Sequence, residues 1–328
     1  MRRCSESPGA GAAPSASAAG SDVRVGLAYD VGGRGDKSFN DSAVAGLDRA
    51  KAELGIEAEE LSPNASGSDR GDNLRQLAEE GFDPVIAVGF AYADSVKTVS
   101  ADFPDTTFLI IDDATVKAPN VKQLLFAEEQ GSFLVGAAAA LKSTSGSIGY
   151  IGGVETTLLK KFEAGFVAGA EQVKPGIKTT ARYLSQPPDF SGFNSPDKGR
   201  ESANGMYDAG VDVIFAAAGG SGTGVFQAAE ANGKKAIGVD SDQYQSVGDP
   251  TLQPVILTSM LKRVDVAVYE SLKKFVAGEE LPVSTTFDLE SEGVGYATSG
   301  GFVDDIRPQL DDLKQKIIAG EITVATTP

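Results

Sequence analysis

From Val23 onward the chain alternates short apolar runs with longer stretches whose apolar positions recur every three or four residues. The short runs predict strands and the longer stretches predict helices. VRVGLAY (23–29) reads as a strand, and SAVAGLDRAKAELG (42–55) as a helix that Gly55 ends. A strand IEAEEL follows, then a helix over 68–81, a buried strand PVIAVG (84–89) and a helix over 91–104 stopped by Pro104. Strands at 106–112 and 120–126 complete a βαβαβαβ run, which predicts a parallel, doubly wound sheet.

The pattern starts again near residue 128 with the helix EEQGSFLVGAAAALKS. Strands are expected at 147–153, in TTARYLS, at 211–220, at 235–242 and at 254–261, with helices at 158–176, 196–210 and 222–233 between them. A helix over 264–278, a strand-like GVGYATS and a last helix over 306–320 close the chain. Two similar α/β halves of about 100 to 140 residues are implied, an ordinary domain size. If late segments complete both halves, several strands link them, which makes a hinge with a ligand cleft between opposed strand ends.

Composition removes several classes of function. The chain of 328 residues is 41% hydrophobic and 23% charged, so most of it is expected to be globular. A net charge of −17 argues against nucleic-acid partners. The absence of histidine excludes Ser-His-Asp and Cys-His catalysis and His-ligated metal sites, and a single cysteine excludes an internal disulfide. No cofactor is expected. No apolar run approaches the roughly 20 residues of a membrane helix.

The chemistry gathers where strands end. VRVGLAY runs into Asp30, a turn rich in glycine (Gly32, Gly33, Gly35) and the polar cluster Asp36-Lys37-Ser38-Phe39-Asn40-Asp41 at a helix start. In parallel α/β sheets that is where ligands bind. An aromatic ring among carboxylate, amide and hydroxyl groups suits a flat, polar, neutral ligand. The plain alternative is a turn in which Ser38 or Asn40 caps the helix and Phe39 packs in the core. Gly220, Gly222 and Gly224 stand between a strand and a helix at a spacing that fits neither a dinucleotide fingerprint nor a P-loop; small residues there let backbone N–H groups approach a ligand. Asp112-Asp113 and Asp240-Ser241-Asp242 each end a strand, and such carboxylates suit the paired hydroxyls of a sugar. Paired carboxylates also serve as acid and base, which keeps a hydrolase using Asp112 and Asp113 as an alternative. Lys262 is either a cationic donor to such hydroxyls or a solvated lysine. Phe190 and Phe193 sit in a loop rich in Pro, Gly and Ser, where one of them can face Phe39 across a cleft.

The first 21 residues differ from the rest. After Met1-Arg2-Arg3, they are almost wholly Ser, Ala, Gly and Pro beyond Cys4, the composition of a flexible tether. A cysteine at the head of such a linker is the pattern of a lipid-anchored protein. Arg3 precedes Cys4 and no apolar stretch does. Either the natural start lies upstream or Cys4 is an ordinary tail cysteine.

In combination, DVGGRGDKSFND (30–41), EEQGSFLVGAAAA (128–140), KKFEAGFVAGA (160–170), the segment 196–229, GVDSDQ (238–243) and TSMLKRVD (258–265) resemble the basic membrane protein family of substrate-binding lipoproteins, which includes purine nucleoside receptors of ABC transporters. The likeness runs from about Val23 to Phe302. It implies a type I periplasmic-binding-protein-like fold of two doubly wound lobes joined by a hinge with three crossovers, and no catalysis. The expected division is a tether (1–21), an N-terminal lobe (22–126 plus 262–280) and a C-terminal lobe (127–261 plus 281–328). The resemblance implies a nucleoside stacked between Phe39 and Phe193, its base edge read by Asp30 or Asn40 and by Asp113, and its ribose met by Gly220, Asp240 and Lys262, with Ser38 beside them. It further implies a monomer anchored outside the cell membrane through lipidated Cys4, with an ABC permease as partner. A sugar or autoinducer-type receptor of the same fold is the alternative ligand class. A ligand-responsive regulator is disfavoured by the acidic charge and by a start without a helix-turn-helix pattern.

Overall fold

The computed structural model describes residues 22–328; the expected tether and Cys4 lie outside the described residues. The first stretch runs β1 (Arg24–Ala28), α1 (Phe39–Leu54), β2 (Glu57–Leu61), α2 (Arg70–Glu79), β3 (Val85–Ala87), α3 (Ala93–Asp102), β4 (Phe108–Ile111) and β5 (Val121–Phe126). The second runs α4 (Glu128–Lys142), β6 (Ser147–Val154), α5 (Thr157–Val173), β7 (Lys178–Ser185), α6 (Pro196–Asp208), β8 (Val213–Ala217), α7 (Gly222–Ala231), β9 (Lys235–Asp240), the single turn α8 (Gln243–Ser246) and β10 (Ile256–Lys262). The chain ends with α9 (Val264–Val276), β11 (Ser284–Phe287), β12 (Val294–Tyr296) and α10 (Arg307–Ile318).

These strands form two six-stranded sheets, ordered β11-β5-β4-β3-β1-β2 and β12-β10-β9-β8-β6-β7. The first is parallel throughout; in the second, β12 alone runs antiparallel, against β10. Every residue of β4 (FLII) and β8 (VIFAA) is buried, as strands covered by helices on both faces must be. The outer strand β2, EAEEL, instead carries glutamates along the sheet edge, where charge discourages pairing with another chain. In both sheets the winding reverses direction beside the first strand, between β1 and β3 and between β6 and β8. Ligand crevices open at such switch points.

The chain passes between the sheets three times: from β5 to α4, from β10 to α9 and from β11 to β12. The passages are tied together. Ala127 N–H donates to the Phe287 carbonyl at 2.9 Å, and Arg263 N–H donates to the Gly293 carbonyl at 2.9 Å. The expected boundary at residue 281 is corrected here: Ser284–Phe287 pairs with β5 in the first sheet, so the last passage falls after Phe287. The sequence reading missed this strand. The strand is short, and its three polar residues are exposed or half exposed because it lies at the sheet edge.

Helix α1 begins at Phe39, three residues earlier than the apolar periodicity implies. Neither Ser38 nor Asn40 caps it. The Asp36 carboxylate accepts the backbone N–H of Ser38 (2.9 Å), Asn40 (2.8 Å) and Asp41 (3.1 Å), satisfying donors that a helix start leaves without partners. That leaves the Ser38 and Asn40 side chains free for other work. The Gly55 stop is as read, in the left-handed conformation at φ 69°.

The second lobe is built around the close pair α4 and α5. A methyl group at Gly136, Gly165 or Gly169 would overlap the carbonyl oxygen of Phe166, Glu129 or Phe133 respectively. The pair therefore packs backbone against backbone, which holds the start of α5 and its Phe162 in fixed register with the first crossover. Gly169→Val is expected to lower stability by about 1–3 kcal/mol or more through overpacking. Urea denaturation checks this: the midpoint should fall, whereas an unchanged midpoint would show that the helices separate freely.

Candidate functional site

Strand ends from both sheets deliver side chains into one cleft. From the first lobe come Asp30 after β1, Phe39 and Asn40 at the start of α1, Phe90 after β3 and Asp112 after β4. From the second come Phe162 on α5, Phe193 after β7, Gly219 after β8, Asp240 at the end of β9 and Lys262 at the end of β10. The cleft encloses about 560 Å³, part of it open to solvent. Small-molecule sites are usually apolar and aromatic with a few convergent polar groups, as this lining is.

Two of the aspartates face the cleft because of their backbone. Asp112 has φ 68° and Asp240 φ 64°, in the left-handed region that residues other than glycine and asparagine or aspartate seldom visit. Strain of this kind gathers at functional sites. The turn at Asp112 also separates it from its neighbour. Asp113 does not line the cleft; its carboxylate accepts from Thr115 N–H (2.8 Å), Thr115 Oγ1 (2.9 Å) and Val116 N–H (3.1 Å), which folds the loop that follows.

Lys262 is buried at one end of the cleft. Its ammonium donates to Asp112 Oδ2 at 2.6 Å and lies 3.2 Å from Glu128 Oε1. Three rings surround it, with centroids 5.2 Å (Phe39), 5.0 Å (Phe126) and 5.5 Å (Phe162) from Nζ. Burial works against the charge, but Asp112, Glu128 and Asp240 outweigh it and hold the ammonium above its ordinary pKa. Burial pushes Asp112 up to about 6 against the pull of Lys262, and pushes Asp240 up to about 7. Asp112, which lines the cleft, keeps its Oδ1 buried without a hydrogen-bond partner.

The lobes touch across the cleft. Ser38 Oγ donates to the Asp240 carboxylate, Ser241 Oγ to the Ser38 carbonyl at 3.2 Å, and Gln243 Nε2 to the Lys37 carbonyl at 3.0 Å. At the opposite end, Asp30 N–H donates to Asn40 Oδ1 at 2.9 Å, and Asn40 Nδ2 donates to Asp36 Oδ2 at 3.0 Å. Asn40 is therefore held in one orientation, with one remaining N–H.

Of the residues singled out by sequence, the structure brings Asp30, Phe39, Asn40, Phe193, Asp240 and Lys262 together on the cleft wall. Ser38 stands behind Asp240, and Gly219 rather than Gly220 lines the wall. Phe190 packs edge-on against Phe90, with centroids 6.0 Å apart, while Phe193 is the loop ring that lines the cleft. Sequence reasoning missed Phe90 and Phe162, and the Asp113 it expected at the base edge lies off the cleft wall, where Asp112 is the lining aspartate, beside Lys262. Phe90 follows a strand end, the same signal that pointed to Asp30.

The family model for Bmp, described as ABC transporter substrate-binding protein PnrA-like, matches residues 23–327. The chain belongs to this family. It is 35% identical over 325 residues to the CD4+ T-cell-stimulating antigen of Listeria monocytogenes (94% of this chain, 89% of that protein). It is 32% identical to the ABC transporter nucleoside-binding protein BmpA of Lactococcus lactis, with 92% and 89% covered. A solved ABC transporter solute-binding protein from Aeropyrum pernix K1 superposes with a TM-score of 0.80 at 29% identity, covering 93% of each chain. The fold is thus that of type I periplasmic solute-binding proteins. A Bmp substrate-binding protein serves an ABC transporter, with a small-molecule ligand and a permease as partner.

In this Bmp protein the buried acids should make the empty receptor sensitive to pH. Asp240 rises from 3.8 to about 7 on folding, so between those values the folded state holds a proton that the unfolded state has lost. Stability from this group is present below about pH 4 and is lost as pH rises toward 7. Melting temperature across pH 4 to 8 should show that decline, and Asp240→Asn should flatten it. An identical slope in the variant would show that Asp240 titrates normally.

Proposed function

We propose that this chain is the extracytoplasmic receptor of an ABC importer for a nucleoside, with a purine as its base. One observation carries the reading: aromatic rings from both lobes and a cluster of buried charge line the same cleft. Aromatic rings from both lobes, Phe39 and Phe90 from the first and Phe162 and Phe193 from the second, give it flat apolar walls. Asp112, Asp240 and Lys262 give one end of it buried acceptors and a donor. A planar heterocycle joined to a pentose matches both. A free sugar can use the acidic end and lie on an aromatic face, but it lacks the flat heterocycle that rings from both lobes can sandwich. The relative named for nucleoside binding supports the same ligand class.

In this reading Phe39 and Phe193 stack on the base, Asp30 and Asn40 meet its edge, and Asp240, Asp112 and Lys262 hold the ribose hydroxyls. Ligand contacts to both lobes favour the closed form, which the permease recognises. Cys4 carries the lipid that keeps the receptor, a monomer, at the outer face of the membrane. The chain performs no chemistry on its ligand.

Titration calorimetry tests this directly. Inosine and guanosine should bind, with ribose and hypoxanthine each at least about a hundredfold weaker, since each half meets only part of the site. Phe39→Ala should weaken every purine nucleoside by roughly 30-fold or more, from lost stacking and burial of the ring. Equal binding of ribose and inosine, or an unchanged affinity in the variant, would overturn the proposal.

A further inference from the structure

Behind Asp30 lies a buried cation that the sequence reading passed over. Arg70, at the start of α2, is 6% exposed. Its Nη2 donates to Asp30 Oδ1 at 3.0 Å and its Nη1 to the Gly67 carbonyl at 3.2 Å. The guanidinium carbon lies 5.6 Å from the centroid of Tyr92 and 5.5 Å from that of Phe190. Phe190 belongs to the loop after β7, so it reaches Arg70 from the second lobe.

We infer that Arg70 is a positioning residue with two tasks: it holds Asp30 as an ionised acceptor for a base N–H, and it fastens the second lobe over that end of the cleft through Phe190. The inference rests on the nucleoside reading and adds to it the side of the base that is read.

The hydrogen bonds support the first task. Asp30 Oδ1 is occupied by Arg70 and by the Val31 N–H at 2.7 Å. Among the described residues Oδ2 takes no hydrogen bond, and Asp30 lines the cleft. A guanidinium carries its charge at any working pH and cannot accept, so a buried one needs an anion beside it. Asp30 is the carboxylate that Arg70 contacts. Burial raises the Asp30 carboxyl above its ordinary pKa, and the nearby Arg70 guanidinium is the largest influence limiting that rise. The other polar groups around Asp30 are committed. Asp36 accepts four N–H groups, Asn40 is fixed between Asp30 and Asp36, and Tyr92 Oη donates to the Tyr29 carbonyl at 2.6 Å. An ionised Oδ2 accepts and cannot donate. It selects a ring that presents an N–H, such as the lactam of a 6-oxopurine, and rejects one that presents only acceptors.

The second task follows from position. Arg70 and Phe90 of the first lobe meet Phe190 of the second, and Phe90 also meets Phe193 at 6.4 Å. These contacts exist only while the lobes are together. The first phenylalanine of the loop, Phe190, thus grips the first lobe, while Phe193, three residues on, lines the cleft.

Calorimetry and stopped-flow binding separate the tasks. Wild type should bind inosine roughly ten- to a hundredfold tighter than 1-methylinosine and than purine riboside, both of which lack the only N–H of the base. In Arg70→Met, Asp30 loses its cation and takes up a proton. The ratio of variant to wild-type dissociation constants for inosine should then fall as pH rises from 6 to 8, and discrimination against purine riboside should shrink near neutral pH. Taking the ratio cancels the titration of Asp112 and Asp240. Arg70→Lys should restore the discrimination, and Phe190→Leu should keep it while raising the dissociation rate several-fold. Wild type that binds no nucleoside overturns the functional reading and this inference with it. Wild type that binds inosine and purine riboside alike overturns the inference alone. So does an Arg70→Met protein with wild-type discrimination and a flat ratio, or, should that variant not fold, an Arg70→Lys protein without discrimination.

Discussion

The buried ammonium of Lys262 is the constraint around which the rest of the site is arranged. It ends β10 at the point where the chain leaves the second sheet, and it pairs with Asp112 at the end of β4 in the first. Glu128, one residue past another crossover, holds it from behind and is itself paired with Lys161 at 3.4 Å. A charge this deep is tolerated only with close counterions, and removing one partner leaves the other stranded. The two lobes therefore cannot part far at this point without exposing or unpairing it. The hinge and the polar end of the cleft are one structure, and a ligand that engages Asp112, Asp240 and Lys262 acts on the hinge directly.

The other contacts between the lobes are weaker. Ser38 meets Asp240 and the Lys37 and Ser38 carbonyls accept from the second lobe on the side of Lys262, while at the Asp30 end the lobes meet through the rings of Phe90 and Phe190. Each such contact contributes on the order of 1 kcal/mol, less than the roughly 3–5 kcal/mol lost when one partner of a buried ion pair is removed. The site thus combines a rigid polar base with a yielding aromatic mouth.

Much of this was legible in the chain. The alternation of apolar runs and helical periodicity gave the two doubly wound lobes, because strands buried on both faces leave an unmistakable apolar signature. Strand β11 left none, since an edge strand of Ser and Thr looks like loop. At the site, strand-end position found Asp30, Asp240 and Lys262. The choice between Asp112 and Asp113 turned on one backbone angle, which sequence does not display. Phe162 hid inside the apolar stripe of a helix that reads as core. Arg70 hid among the polar residues of a helix start, where a cation carries no periodic signal and its partner lies 40 residues away. The capping role went to Asp36 for a related reason: Asp, Ser and Asn all cap helices, and spacing alone does not rank them.

The central claim is that one cleft holds a flat ring against its phenylalanines and a pentose against its buried charges. A crystal structure of the protein with bound inosine tests it most directly. The account predicts the base stacked between Phe39 and Phe193 with its N1 on Asp30, and ribose hydroxyls within hydrogen-bond distance of Asp112, Asp240 and Lys262. Density for the nucleoside outside the cleft, or a ribose pointing toward Asp30 with Lys262 untouched, would contradict it.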